Sequence, residues 1–460
     1  MNVFDPFAIA FRKLPVSNGR WENQEKNNPK EVFFKYIDKW DSEGKKIKAY
    51  DYLVEARKRA IDWDNVELVR ELNSKITHIT SREANKALEH AYDEMASVKA
   101  ARKGFLDYVK KTRLSDLSEV PKFEETAKAS LEPQLAELLS IFAAITIDLR
   151  REIPAYLFKK NQKLLNNKYG EEQTPLDIFA NNAFRDAAIQ SGFVNTYISE
   201  EEKKPVKGLS NAPYIVTCDP LDGSSNIDTG NSLGTIISII KKNPLKDSYF
   251  TGHDIVASML VLYGSSLEML FAAEDKDGKM GNLQKFVSYE MDDGKERYLL
   301  LNDDIKVPQK HKFFGWSGNE SMWGETSQFT RFFNSIKNLF KPRVHGCIVA
   351  EAFECASKNG STYTYSATNE YANGKIREVV EAKPIVRALK AGGGEGWNFN
   401  LENESVLDPA IPIGAWIFKP EDYSAGDVEA SIKEIDRRTQ IIMGSKATVE
   451  KAKESYRAAA

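Results

Sequence analysis

The chain reads as an α+β or layered α/β protein with an extra helical region at its N-terminus, and three observations lead there. Residues 20–130 are dense in charge and poor in Gly, with apolar positions recurring at helical spacing. The segment 134–153, "QLAELLSIFAAITIDLRREI", is apolar enough for a buried helix. From 212 onward, short β-rich runs bounded by Gly, Asn or Asp alternate with helical stretches such as 177–190 and 427–440.

Taken in order, Asp64–Arg113 carries Val66, Leu68, Val69, Leu72, Ile76 and Ile79 on a helical repeat. Trp21, Trp40 and Trp63 are of the type that packs helices together. Two prolines, Pro121 and Pro133, interrupt the pattern, so 117–133 reads as a linker or boundary. The runs "YIVTC", "GTIISII", "DIVASMLVLYG" and "SLEMLFAA" are the expected central strands. There is neither an internal repeat nor a low-complexity segment.

Composition narrows the function. With 64 Lys and Arg against 67 Asp and Glu, the net charge of -3 gives no global field toward nucleic acid or anionic lipid, so a small ligand is expected. Cys218, Cys347 and Cys355 are the only cysteines and form no CxxC or Cys/His pattern, which fits a reducing compartment. No apolar run approaches the roughly 20 residues of a membrane helix. The start does not read as a signal or transit peptide, and the terminal "RAAA" is no known address, so the default expectation is cytoplasmic.

One stretch carries chemistry. In "VTCDPLDGSSNID" (216–228) an apolar strand ends at Asp219, Pro220 fixes the backbone and Asp222 follows three residues on. Two carboxylates facing one point, with the Leu221 carbonyl between them, suit a hard cation such as Mg2+. Gly223 permits a close backbone approach, and Ser224, Ser225 and Asn226 offer donors to a phosphate. The same letters also spell an ordinary Asp-Gly turn, and on this stretch alone the two readings are even. Glu200, Glu201 and Glu202 end another apolar run, and Glu171 and Asp177 precede a helix. Acidic triplets are usually solvated surface, yet these clusters taken together suggest a multi-carboxylate metal site.

"CDPLDGSSNID", with "LDIFANNAF" and "SGFVNTYISEE" before it and "GTIISI" and "DIVASMLVLYGSS" after it, resembles class I fructose-1,6-bisphosphatase of the Mg2+-dependent, lithium-sensitive sugar phosphatase superfamily. The similarity runs from about 134 to about 445. It implies an α-β-α-β-α sandwich, with 131–305 as the metal-binding half and 306–446 as the sugar-phosphate half; outside it lie the helical extension 1–130, of unassigned role, and a tail, 447–460. It implies two or three Mg2+ ions, or Mn2+, on Glu200, Asp219, Asp222 and Glu381, with the Leu221 carbonyl and Glu171 completing the shells. Glu381 is identified through "GKIREVVEAKP".

By the same resemblance Asp177 and Glu201 position and deprotonate the attacking water, while Asp222, Gly223, Ser224 and Ser225 meet the reacting phosphate. Asn319, Tyr365 and Lys375 would hold the sugar phosphate, and Arg343 would reach a neighbouring subunit's site in a homo-oligomer, a dimer or tetramer. The implied substrate is fructose 1,6-bisphosphate. The alternatives are sedoheptulose 1,7-bisphosphate, another phosphorylated polyol, or an inactive regulatory relative.

The sequence departs from the family at several points. Met322 and Val344 stand where tyrosines contact the far phosphate. The positions of AMP-responsive members read Glu132, Gln134, Ala136, Pro213 and Tyr214, so AMP inhibition is expected to be absent. Cys218 is expected to be a small buried apolar residue.

Overall fold

The computed structural model of the chain describes Leu53, Ala56, Leu72 and residues 117–157, 165–166, 172–242, 250–291, 293–399, 405–408, 429, 433 and 435–460. Two compact units divide the chain, Met1–Asp116 and Leu117–Ala460. In the first, Leu53, Ala56 and Leu72 are helical and buried. The rest of the expected N-terminal helices, with Trp21, Trp40 and Trp63, lies outside the described residues.

The second unit begins with α1 (Phe123–Ser130), α2 (Pro133–Leu157) and α3 (Pro175–Gln190). Eight strands follow: β1 (Val194–Ser199), β2 (Val206–Lys207), β3 (Tyr214–Asp222), β4 (Leu233–Lys241), β5 (Ile255–Tyr263), β6 (Leu267–Ala273), β7 (Leu283–Glu290) and β8 (Glu296–Ile305). They form one sheet in the order β8-β7-β6-β5-β4-β3-β1-β2. Its neighbours are antiparallel except β1 and β3, whose parallel pairing brings two strand ends side by side.

The remaining elements are β9 (Phe313–Ser317), α4 (Glu320–Trp323), α5 (Gln328–Ile336), β10 (Lys341–Pro342), α6 (Ile348–Cys355), β11 (Ser361–Tyr365), β12 (Ile376–Arg377), α7 (Lys383–Ala391), β13 (Gly394–Asn398), β14 (Arg438–Thr439), β15 (Ile441–Ser445) and α8 (Lys446–Ala458). A second sheet runs β10-β9-β11-β15-β13, and β12 pairs separately with β14.

Side-chain alternation stacks these elements into layers. Along β6, Leu267, Met269, Phe271 and Ala273 enter the core shared with α1–α3, whereas Leu270 and Ala272 enter the core shared with α6 and α7. A strand buried on both faces reads as a nearly continuous apolar run, which is the texture seen from 212 onward. On α7, Ile385, Val386, Ala388 and Leu389 turn one buried stripe toward the sheets. On the far side, α5 and α8 cover the second sheet with Phe329, Phe332, Phe333 and Val449, packed with Trp397 and Phe399. The order is helices, large sheet, α6 and α7, second sheet, helices, which is the α-β-α-β-α sandwich expected.

Three expectations are corrected. Of the two readings of 117–133, the boundary holds, falling between Asp116 and Leu117, but the linker does not: Phe123 of α1 is fully buried, edge-on to Phe271 at 5.1 Å and Phe286 at 5.2 Å. The prolines punctuate helices there, Pro133 opening α2, so the body begins near Leu117 rather than at 131. Residues 447–460 are no tail, since α8 buries Val449 and Ala452. The stretch 427–440 is helical at its described positions only as far as Ile435, and Arg438–Thr439 is the strand β14.

Phe123→Ala should therefore cost about 3–5 kcal/mol, the usual range for emptying a buried aromatic site. A lowered midpoint of denaturant unfolding, followed by far-ultraviolet circular dichroism, is the measurement.

Candidate active site

The site forms where β1 and β3 end. Asp219 pairs with Ile236 and Asp222 with Gly234, three steps along β3 against two along β4. This bulge re-aims the strand's last side chains, and Pro220 lies inside it, where a residue without an N–H is tolerated. Beside it Glu200 follows the end of β1, and its N–H donates to the Cys218 carbonyl at 3.1 Å, which sets Glu200 against Asp219.

Glu381 comes from much later in the chain. It sits on a five-residue π-helical turn, Glu378–Ala382, between β12 and α7. Such turns frequently mark functional positions. Asp177 is the third residue of α3 and forms a capping box: its Oδ2 accepts from the Thr174 N–H at 2.7 Å, and its own N–H donates to Thr174 Oγ1 at 3.2 Å. Its other oxygen, Oδ1, is buried, with no partner in hydrogen-bond geometry among the described residues.

Oxygens of Glu200, Asp219 and Glu381 lie within 4.8 Å of one another. Burial, then the charges of Glu200, Asp222 and Glu381, push Asp219 well above the usual carboxylate range. Burial and Glu200 likewise raise Glu381, to about 8, and burial raises Asp177 to about 6. Burial raises Asp222 too, although its Oδ2 accepts from the Val349 N–H and the Cys347 thiol, each at 2.9 Å. Arg377 supplies part of the missing counter-charge: its Nη1 pairs with Glu200 and lies 3.9 Å from Glu381.

The converging donors are all carboxylate oxygens, held close at an electrostatic cost that a divalent cation would remove. The residues present therefore fit a hard ion such as Mg2+.

These groups face one cavity of about 330 Å3. Asp177, Glu200, Glu201, Asp219, Asp222 and Glu381 line it, together with Leu221, Gly223, Ser224 and Ser225. Tyr365 and Lys375 line the same cavity. Gly223 has φ of +74°, and a Cβ there would come within 3.0 Å of the Cys347 Cβ, so a glycine is needed for both reasons. A 3-10 helix, Ser224–Thr229, follows directly. Gly234 allows α6 to approach: a Cβ there would sit 2.5 Å from Val349, whose N–H holds Asp222.

Asn319, expected at the sugar phosphate, does not line this cavity, and neither does Arg343, which is expected to reach a neighbouring subunit's site. The Asn319 side chain caps α4 instead, accepting from the Met322 N–H at 3.2 Å. Arg343 lies over the Phe313 ring, 3.7 Å from its centroid, and pairs with Glu354 at 2.9 Å. Glu171 lies outside the described residues. Sequence reasoning missed Arg377 and Cys347 as members of the site. The spacing of Arg377 four residues before Glu381 was a usable signal, whereas the contact of Cys347 with Asp222 spans 125 positions and had none.

These pKa directions set a pH dependence. A carboxyl raised above its unfolded value stabilises the fold while protonated, fully so below the unfolded pKa, and loses that contribution as pH climbs through the folded value. In metal-free protein the melting temperature should fall between about pH 4.5 and 8, the ordinary and raised values of Glu381. Asp219→Asn should flatten the fall in differential scanning calorimetry, and an unchanged slope would contradict the electrostatic reading.

A family model, Fructose-1-6-bisphosphatase, N-terminal domain, matches residues 120–287. The class 1 fructose-1,6-bisphosphatase of Chlorobaculum tepidum is 32% identical over 245 residues, covering 50% of this chain and 70% of that protein. The cytosolic fructose-1,6-bisphosphatase of Oryza sativa subsp. japonica is 32% identical over 243 residues, covering 50% and 69%. Among solved structures, Leishmania major fructose-1,6-bisphosphatase in holo form aligns with a TM-score of 0.60 at 20% identity, over 74% of this chain and 99% of that one. A putative sedoheptulose-1,7 bisphosphatase from Toxoplasma gondii gives 0.59 at 20% identity with the same coverage. These last two show the shared fold, and with the sequence relatives and the carboxylate site they lead to one conclusion: the chain belongs to the class 1 fructose-1,6-bisphosphatase family of phosphoric monoester hydrolases.

Proposed function

We propose that the chain hydrolyses the 1-phosphate of fructose 1,6-bisphosphate, giving fructose 6-phosphate and phosphate, with Mg2+ held by Glu200, Asp219, Asp222 and Glu381. The Leu221 carbonyl and Glu171 would complete the shells. The observation that carries this reading is the convergence of Glu200, Asp219 and Glu381 on the cavity that Asp177 and Glu201 also face. When bound, the ions neutralise the phosphoryl oxygens and acidify a coordinated water.

The chain's own groups do the rest. Asp177, fixed by Thr174 through one oxygen, keeps the other for the water proton, and a value near 6 leaves it a base at neutral pH. Glu201 lines the same cavity and orients the same water. The first N–H groups of a helical turn have no partners within it, so Ser224 and Ser225 can receive the phosphoryl oxygens. Lys375 and Tyr365, which line the same cavity, hold the far phosphate. Arg343, held outside its own chain's cavity by Glu354, would serve a second copy's site in a homo-oligomer.

A second substrate reading is sedoheptulose 1,7-bisphosphate, favoured by Val344, which lines the cavity and brings no hydroxyl to the distal phosphate. AMP insensitivity is also inferred. The relevant positions form a local network in which Glu132 accepts from the Tyr214 hydroxyl at 3.1 Å and from Lys241 Nζ at 2.7 Å. Among the described residues no helix is long and apolar enough to cross a membrane, and we place the protein in the cytoplasm as part of this reading.

Phosphate release with Mg2+ from fructose 1,6-bisphosphate, sedoheptulose 1,7-bisphosphate and inositol phosphates, with Asp219→Ala as blank, tests the proposal. Release from the fructose substrate that vanishes in the blank is expected, and folded protein releasing none would overturn it. Asp177→Asn should lower kcat by about 10²–10⁴ with Mg2+ affinity retained, as befits loss of a proton acceptor. Addition of AMP should leave the rate unchanged.

A further inference from the structure

The π-turn that carries Glu381 is bracketed by charges that the reaction does not use. Glu378 opens the turn and Lys383 follows it, and both side chains are almost fully buried, at 1% and 0% exposure. Lys383 Nζ lies 3.0 Å from Glu378 Oε1, and the Lys383 N–H donates to the Glu378 carbonyl, so the two ends of the turn are joined twice. Lys383 Nζ also donates to the Val406 carbonyl at 2.8 Å.

Arg437 holds the same carboxylate from the neighbouring strand segment. Its Nε donates to Oε2 at 2.6 Å and its Nη2 to Oε1 at 2.9 Å, while its carbonyl accepts the Glu378 N–H at 2.9 Å. Next along, β14 pairs with β12, in the register Arg377 to Arg438. Between the two ends, Val379 and Val380 are buried among Ile198, Ile215, Ile240 and Ile255, so the turn cannot rotate without leaving the core. Glu381 is the next residue and projects toward Glu200 and Asp219.

Burying a Lys-Glu-Arg cluster is costly, and stability alone is weak ground for such a cluster. A π-turn is an irregular piece of backbone with one extra residue, and a bidentate clamp on its first carboxylate fixes the pitch at which its fourth residue emerges.

We infer that the Glu378–Lys383–Arg437 cluster is a positioning device that holds Glu381 in its cation-binding orientation before any ion arrives. The inference rests on the metal-site reading above. It concerns Lys383, Glu378 and Arg437 only as groups acting through Glu381, since none of them lines the cavity.

The test is Mn2+ binding to metal-free protein, followed by titration calorimetry and by the paramagnetic signal of free Mn2+, alongside the Mg2+ dependence of phosphate release. Lys383→Met and Arg437→Gln should weaken Mn2+ binding by about 10–100-fold, the usual effect of removing an outer-shell partner. The Mg2+ concentration for half-maximal rate should rise by a similar factor, with kcat at saturating Mg2+ little changed. Arg437→Lys, which keeps the charge, should recover part of the affinity that Arg437→Gln loses.

Arg437 is about one-third exposed, so its variants should fold even if Lys383→Met does not. Folded variants that bind Mn2+ as tightly as the parent would overturn the inference, as would an Arg437→Lys protein as weak as Arg437→Gln. If the parent protein bound no Mn2+, the metal-site reading itself would fall, and the inference with it.

Discussion

The mutual repulsion of carboxylates at the open end of the large sheet is the constraint on which the rest of the site depends. Asp219 and Glu381 are buried, Glu200 stands against them, and one guanidinium, that of Arg377, offsets part of the charge. Carboxylates do not gather this way by themselves, since each raises the cost of ionising the next. The fold has to impose the arrangement through backbone geometry. It does so with a parallel strand pair that aligns Glu200 with Asp219, a bulge that turns Asp219 and Asp222, and an irregular helical turn that delivers Glu381.

Each of these devices is anchored in the core rather than at the surface. The bulge faces α6 across Gly234, and the N–H of Val349 fixes one Asp222 oxygen. Asn226 ties the loop after Gly223 to the segment before α6, donating to the His345 carbonyl at 3.2 Å. The buried valines of the π-turn sit against four isoleucines of the sheet. Packing therefore supplies the free energy that holds like charges together, and the same packing leaves Asp177 Oδ1 as a buried acceptor without a partner among the described residues.

The cavity is chemically mixed: carboxylates line it together with Lys375, Tyr365, Arg377 and the first residues of a 3-10 helix. Val344 is an apolar member of the same lining.

Much of this was legible in the amino-acid order. Strand texture from 212 onward, the helix at 134–153, the spacing of Asp219 and Asp222 and the local quality of "CDPLDGSSNID" are properties of neighbouring residues, so sequence alone determined them. The two prolines near 121 and 133 marked a boundary but left linker and helix start undistinguished, and only the seating of Phe123 between Phe271 and Phe286 decides between those two. Tertiary structure alone decided that Cys347 would touch Asp222, that Arg343 would turn away to Glu354, and that Lys383 and Arg437 would share the Glu378 carboxylate. The physical reason is common to all three. A side chain's partner across the fold is selected by burial, which removes the competing water, and burial is a property of the packed layers rather than of the chain's local order.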